Sequence, residues 1–113
     1  MSRRSAAAVR LDRAAPVFAA LGDETRLALV NRLGASGPLS IARLTDGANV
    51  TRQAITKHLE VLAEAGLVRD EWRGRERLWA FEGARLAEAR RCLDAISSQW
   101  DEALARLKSF VEE

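Results

Sequence analysis

Residues 51–68 read TRQAITKHLEVLAEAGLV, and this segment says more about the architecture than any other part of the chain. Thr51 is a strong helix N-cap, because its hydroxyl can accept a hydrogen bond from a free backbone N–H of the first turn. Apolar residues then recur at helical spacing, and Gly66 is the residue type with which helices most often end. The sequence therefore predicts a helix from Thr51 to about Ala65.

The two faces of this helix differ in character. One face is apolar and consists of Ile55, Leu59 and Leu62, with His58 at its border. The other face carries polar and basic residues over its first two turns and no acid: Arg52, Gln53, Thr56 and Lys57. The acids Glu60 and Glu64 come toward the far end. A helix that enters the major groove by its N-terminal half needs this gradient, because donors must meet base edges and phosphates there. The alternative is an ordinary amphipathic surface helix.

After Gly66 the hydrophobic period changes from helical spacing to rough alternation. Arg73-Gly74-Arg75 is a turn signal between two β-forming runs, so the sequence predicts a β-hairpin over about residues 67–81. Arg73, Arg75 and Arg77 surround the turn and could contact a phosphate ridge or enter a minor groove. The alternative is a solvated turn whose charges prevent edge pairing, and the nearby acids reduce the basic signal.

Shorter helices are predicted before residue 51. Apolar spacing from Val9 to Leu21 predicts one helix, in which Pro16 favours a kink or a later start. Asp23 is a good N-cap for a second helix that ends near Gly34 and Gly37-Pro38. Ser40 can cap a short third helix that ends at Asp46-Gly47.

The last segment, from Gly83 to Glu112, is helical again. Its apolar residues are spaced alternately by three and four, as in a heptad repeat: Leu86, Ala89, Leu93, Ile96, Trp100, Ala103, Leu107 and Phe110. We expect this stripe to form a dimer interface anchored by Trp100, with Leu11 and Phe18 of the first helix contributing. The alternative is that the helix folds back on its own core, covered in part by the Leu11–Leu21 helix.

Two helices joined by a tight turn and followed at once by a hairpin make a winged helix-turn-helix. The predicted fold is mainly α, with a two-stranded wing and a long C-terminal dimerisation helix. The segments LGDETRL (21–27), TRQAITKHLEVL (51–62) and AGLV (65–68) resemble the ArsR/SmtB family of bacterial winged-helix regulators, from about Ala14 to Phe81. The resemblance implies a cytoplasmic homodimer that binds an inverted-repeat operator and usually represses. It also implies that the 51–65 helix reads DNA and that residues 73–77 form the wing.

Metal sensing is one family property that this sequence does not support. Metal-sensing members often carry a Cys-x-Cys pair in the short helix, where this chain reads SIARL (40–44). Others place Asp and His along the C-terminal helix, where this chain has Asp94 and Asp101 but no histidine. We therefore expect no metal site and no cofactor. His58 is expected to pack at the core border or donate to a phosphate, and Cys92 to be a small, partly buried hydrophobe rather than a redox sensor.

Composition sets the remaining limits. The 113 residues fit one domain, residues 9–113, after an expected disordered tail at residues 1–8. A single cysteine excludes a disulfide framework and indicates a reducing, cytoplasmic setting, at the nucleoid when DNA is bound. No apolar run reaches about 18 residues, so we expect no membrane partner. A net charge of only +2 leaves the placement of charge to indicate nucleic acid.

The predicted DNA-binding residues are Thr51, Arg52, Gln53, Thr56, Lys57, His58, Arg73, Arg75 and Arg77. The predicted partners are double-stranded DNA and a second copy of the chain, and no effector is identified. Two rival classes stay open, namely a winged-helix protein-interaction module that does not bind DNA and a regulator of another class such as the MarR type, whose chains are generally longer. No catalytic constellation is recognisable, so an enzyme is disfavoured.

Overall fold

A computed structural model describes residues 10–112 of the chain. These residues form, in order, α1 (Leu11–Leu21), α2 (Glu24–Ser36), β1 (Leu39–Ser40), α3 (Ile41–Thr45), α4 (Arg52–Glu64), β2 (Val68–Arg73), β3 (Glu76–Phe81) and α5 (Ala84–Glu112). Each predicted helix and the predicted hairpin is present, with ends within two or so residues of those expected. The disordered tail expected at residues 1–8 lies outside the described residues.

The predicted N-caps are confirmed by their hydrogen bonds. Asp23 accepts from the backbone N–H of Arg26 at 3.0 Å, and Thr51 Oγ1 accepts from that of Ala54 at 3.1 Å. Ser40 does the same at the start of α3. Each cap satisfies one of the donors that the first turn of a helix leaves free. Helix α1 begins at Leu11 and continues through Pro16, so the proline does not delay its start.

Helix α4 ends in a Schellman motif. The N–H of Leu67 donates to the carbonyl of Leu62 at 2.9 Å, and the N–H of Gly66 donates to that of Ala63 at 3.0 Å. Gly66 has a φ of +79°, and a Cβ there would lie 2.7 Å from Cγ of Arg85. The glycine thus reverses the chain in one residue, and β2 begins immediately after α4.

The hairpin of β2 and β3 is confirmed, but the sheet has a third strand that the sequence did not predict. The strand order is β1-β3-β2, all antiparallel, with Leu39 opposite Trp79. A strand of two residues has no hydrophobic period, so only its tertiary pairing reveals it. The hairpin turn is the two residues Gly74-Arg75, with a positive φ of 65° at Gly74, which is the type II′ pattern.

The core lies where α1, α2 and α4 meet the sheet and the beginning of α5. Its largest fully buried side chains are Val17, Leu33, Leu59, Leu62 and Leu67. Cys92 of α5 is part of this core, which confirms its interpretation as a small hydrophobe and shows it more fully buried than expected. No helix within residues 10–112 is both long and apolar enough to span a bilayer.

Candidate nucleic-acid interface

The short helix α3 and the longer α4 form the helix-turn-helix, and buried contacts hold both in place. Ile55, Leu59 and Leu62 bury the inner face of α4 as predicted. The guanidinium of Arg32, on α2, donates to the carbonyls of Arg43 and Leu44 at 2.9 and 3.4 Å. Because these carbonyls lie at the end of α3, Arg32 satisfies them and fixes α3 against α2. These contacts leave the outer face of α4 exposed.

Three of the predicted readers on α4 are free to bind. Arg52, Gln53 and Lys57 are exposed, and within residues 10–112 their side chains form no hydrogen bond or ion pair. They can therefore contact a ligand without breaking an internal interaction. Their types suit DNA, since Arg and Lys donate to guanine, Gln pairs with adenine and all can bind phosphate.

The two threonines of the predicted set first serve the helix itself. Thr51 accepts the Ala54 N–H as the N-cap. Thr56 is half-buried, and its hydroxyl donates to the carbonyl of Arg52 at 2.8 Å. The Thr56 hydroxyl proton is thus in use, while a lone pair and the methyl group stay available to a base.

His58, although next to Lys57 in sequence, does not share the exposed face of Arg52, Gln53 and Lys57. Its Nδ1 is 3.3 Å from an Arg26 guanidinium nitrogen and 3.9 Å from Oδ2 of Asp23, at the junction of α1 and α2. Arg26 also donates through Nε to the carbonyl of Ala20 at 2.6 Å, which satisfies an acceptor at the end of α1. Of the two roles expected for His58, packing at the core border fits this position. The segment from Asp23 to Arg26 therefore joins α1, α2 and α4.

The carboxyl of Asp23 has a lowered pKa at this junction. The hydrogen bond from the Arg26 backbone N–H lowers the pKa of the Asp23 carboxyl below its ordinary 3.8. Partial desolvation opposes this shift, and the positive charge of Arg26 reinforces it. The capping group is thus held in its charged form, which also complements the helix dipole at the start of α2.

The wing arginines differ in how strongly the hairpin holds them. Arg77 donates from Nε to Asp70 Oδ2 at 2.9 Å, and its guanidinium lies 4.7 Å from the centre of the Trp79 ring. Arg73 pairs with Glu71 at 3.3 Å. Arg75, at the tip, has no acidic partner among the described residues. Two of the three predicted wing contacts therefore have internal partners, which sequence alone signalled only as nearby acids.

The apolar stripe of α5 divides into two parts. Leu86 and Ala89 pack against the chain's own core, as does Phe18 of α1. From Leu93 onward the stripe is open, and it includes Leu93, Ile96, Trp100, Leu107 and Phe110. Leu11 is exposed as well. The fold-back interpretation thus applies to the first part of the helix, and the dimer interface stays a prediction for the exposed part from Leu93 onward.

Metal ligands are not gathered anywhere in the described part of the chain. Within residues 10–112 no three His, Cys, Asp or Glu side chains are placed to hold a metal ion together. His58 lies on α4 and contacts the α1–α2 junction, whereas Cys92 lies on α5 and is buried in the core.

Comparisons with known proteins agree with this geometry. The family described as "Helix-turn-helix domain" matches residues 21–71. The chain is 38% identical to the HTH-type transcriptional regulator Rv2034 of Mycobacterium tuberculosis, over 82% of this chain and 83% of that protein. It is 32% identical to the HTH-type transcriptional repressor SmtB of the same species, over 83% and 67%. Among solved structures, an ArsR-like transcriptional regulator from Rhodococcus sp. RHA1 superposes with a TM-score of 0.77 at 40% identity, over 88% and 93% of the two chains.

Proposed function

Because the chain belongs to the ArsR/SmtB family of winged helix-turn-helix transcriptional regulators, we propose that it represses transcription as a homodimer bound to an inverted-repeat operator. It is a DNA-binding regulator and not an enzyme, as the family and its relatives are. The homodimer, the symmetry of the operator and the repression are the proposed parts. We also propose that it acts in the cytoplasm, at the nucleoid.

The observation that supports DNA reading is the free, acid-free face on the first two turns of α4. We assign Arg52 and Gln53 to base edges, because both can form bidentate hydrogen bonds in the major groove. Lys57 is assigned to a phosphate, as a compact point charge. The N-terminal half of a recognition helix is the part that enters the groove in helix-turn-helix proteins, and the acids Glu60 and Glu64 lie behind it.

The open stripe of α5 supports the homodimer. Side chains from Leu93 to Phe110 leave an apolar face without cover from the described chain, and a face of this length exceeds the scattered apolar residues normal for a surface. A dimer formed through that face would carry two copies of α4, related by a two-fold axis. Two recognition helices related in this way bind half-sites about 34 Å apart, one turn of B-DNA.

Repression is supported by one relative, the M. tuberculosis protein that is named a repressor. A repressor needs only to occupy DNA that overlaps a promoter. That requirement is met by a small dimer of this kind without any further domain. No effector is assigned to the chain.

Selection from a random duplex library tests the proposal. The purified protein should enrich an inverted repeat whose half-site centres are about 10–10.5 base pairs apart. A Leu93→Asp variant, in which the open stripe is interrupted by a charge, should enrich at most a single weak half-site. Enrichment of one unsymmetric site by the wild type would contradict the homodimer. No binding to any duplex even at low salt would favour the protein-interaction module instead.

A further inference from the structure

Trp72, on strand β2 of the hairpin, is a large apolar side chain that takes no part in the contacts of the wing arginines. It is 65% exposed, although it lies in the middle of a charged hairpin. Strand register places Trp72 opposite Arg77 and places Asp70 opposite Trp79. Because side chains alternate along a strand, these four residues share one face of the hairpin.

This face is the one that turns toward the recognition helix. A groove of about 590 Å³ separates the two elements, with Glu60 and Glu64 of α4 on one side and Asp70, Arg77 and Trp79 on the other. Trp72 continues the same face outward, beyond the groove and toward the tip. A ligand that contacts the outer face of α4 and reaches the wing would meet this side of the hairpin.

The charges of the wing narrow the choice of ligand. Arg77 is held by Asp70 and by the Trp79 ring, and Arg73 by Glu71. The cation at the tip without an acidic partner among residues 10–112 is Arg75. Arg75 in the turn and Trp72 near the end of β2 are three residues apart along the hairpin. A free cation and an exposed indole at this end of the hairpin complement a phosphodiester backbone, which offers both anionic oxygens and apolar sugar faces.

We propose that Trp72 and Arg75 together make the wing's contact with the DNA backbone, Arg75 with a phosphate and Trp72 with the adjoining deoxyribose. Arg77 is a positioning residue, since its ion pair and ring contact hold the face on which Trp72 lies. The assignment rests on the proposed DNA binding. It also changes the predicted wing contacts from three arginines (Arg73, Arg75 and Arg77) to one cation, Arg75, and one aromatic residue, Trp72.

Salt dependence separates the two contacts. A side chain that neutralises a phosphate releases counterions from the DNA. Removing that side chain should make the negative slope of log affinity against log salt shallower by about 0.9 for each bound wing. An apolar contact with a sugar releases none. Trp72→Ala should therefore weaken binding by about ten-fold at every salt concentration with the slope unchanged, because it removes only buried apolar area. Arg75→Ala should weaken binding and also reduce the slope.

The experiment is an anisotropy titration of a labelled 30-base-pair duplex of mixed sequence, repeated over a range of salt. Wild type, Trp72→Ala, Trp72→Phe, Arg75→Ala and Arg77→Ala are compared. Leu27→Ala serves as a control, since Leu27 is another exposed apolar residue, on α2 and away from the hairpin. Trp72→Phe should retain most of the affinity, Arg77→Ala should leave the slope unchanged, and Leu27→Ala should match the wild type.

A second readout does not depend on affinity. Trp72 fluorescence, taken as the difference between wild type and Trp72→Phe, should become protected from acrylamide when the duplex is added. Trp72→Ala binding as tightly as wild type, with no protection of Trp72, would overturn this inference while leaving DNA binding intact. Wild-type protein that fails to bind the duplex at low salt would overturn the proposed function as well.

Discussion

Replacing Trp100 by alanine should dissociate the proposed dimer. Trp100 is 64% exposed on the open part of the α5 stripe, so its removal leaves the core of the single chain intact. If a partner covers that exposed area, roughly 130 Å² of a side chain of about 200 Å², the burial contributes about 3 kcal/mol per chain at 25 cal/mol per Å². Two symmetric copies make the loss about 5 kcal/mol after allowing for the alanine. The dimer dissociation constant should rise roughly a thousand- to ten-thousand-fold.

Sedimentation over a range of protein concentrations measures this constant directly. Wild type should have twice the chain mass of 12.4 kDa at micromolar concentration, and Trp100→Ala should approach the mass of one chain. Trp72→Ala is a matched control, because Trp72 is the same residue type with nearly the same exposure but lies on the wing. A wild-type mass near 12.4 kDa, or equal dissociation by both variants, would refute the reasoning.

Three further results are expected. Gly66→Ala should lower the free energy of unfolding by about 1–2 kcal/mol, because alanine disfavours the left-handed conformation and its Cβ would meet Arg85. Gly34→Ala should raise the free energy of unfolding by about 0.5–1 kcal/mol, because Gly34 lies in open space within α2. Thermal melts compare the two variants. Since folding lowers the pKa of Asp23, the stability it contributes is present above its unfolded value of 3.8 and is lost as the pH falls through the folded value, so acid titration should bring wild type closer to Asp23→Asn. Zinc, copper or cadmium at low micromolar concentration should not release the operator, and metal-dependent dissociation in a gel shift would show an unrecognised ligand set.

Local signals in the sequence were sufficient for most of the fold. Capping residues and helix-ending glycines act within a few positions, so Asp23, Thr51 and Gly66 were recognisable before any tertiary contact was known. The hairpin followed from its change of period and its glycine turn. Strand β1 could not be predicted, because Leu39–Ser40 is a strand only through its pairing with β3.

The sequence was sufficient to predict which residues form the candidate site, but not which side chains pair with them. The helical period placed Arg52, Gln53 and Lys57 on the exposed face correctly, because burial of the opposite face decides it. The sequence did not reveal that Arg77 is paired with Asp70, since residues seven apart meet only through the hairpin register. The exposed Trp72 was likewise missed, because strand alternation alone does not tell where the sheet ends and solvent begins.

The most direct test of the account is the affinity of an Arg52→Ala/Gln53→Ala/Thr56→Ala/Lys57→Ala variant for the operator obtained by selection. An Arg90→Ala/Arg91→Ala variant is the control, since it also removes two positive charges, but from exposed positions on α5. Titration of the labelled operator should show a loss of about a hundred-fold or more for the α4 variant, as each good base contact is worth about 1–3 kcal/mol, and little change for the control. Undiminished operator affinity in the α4 variant would contradict DNA reading by this helix.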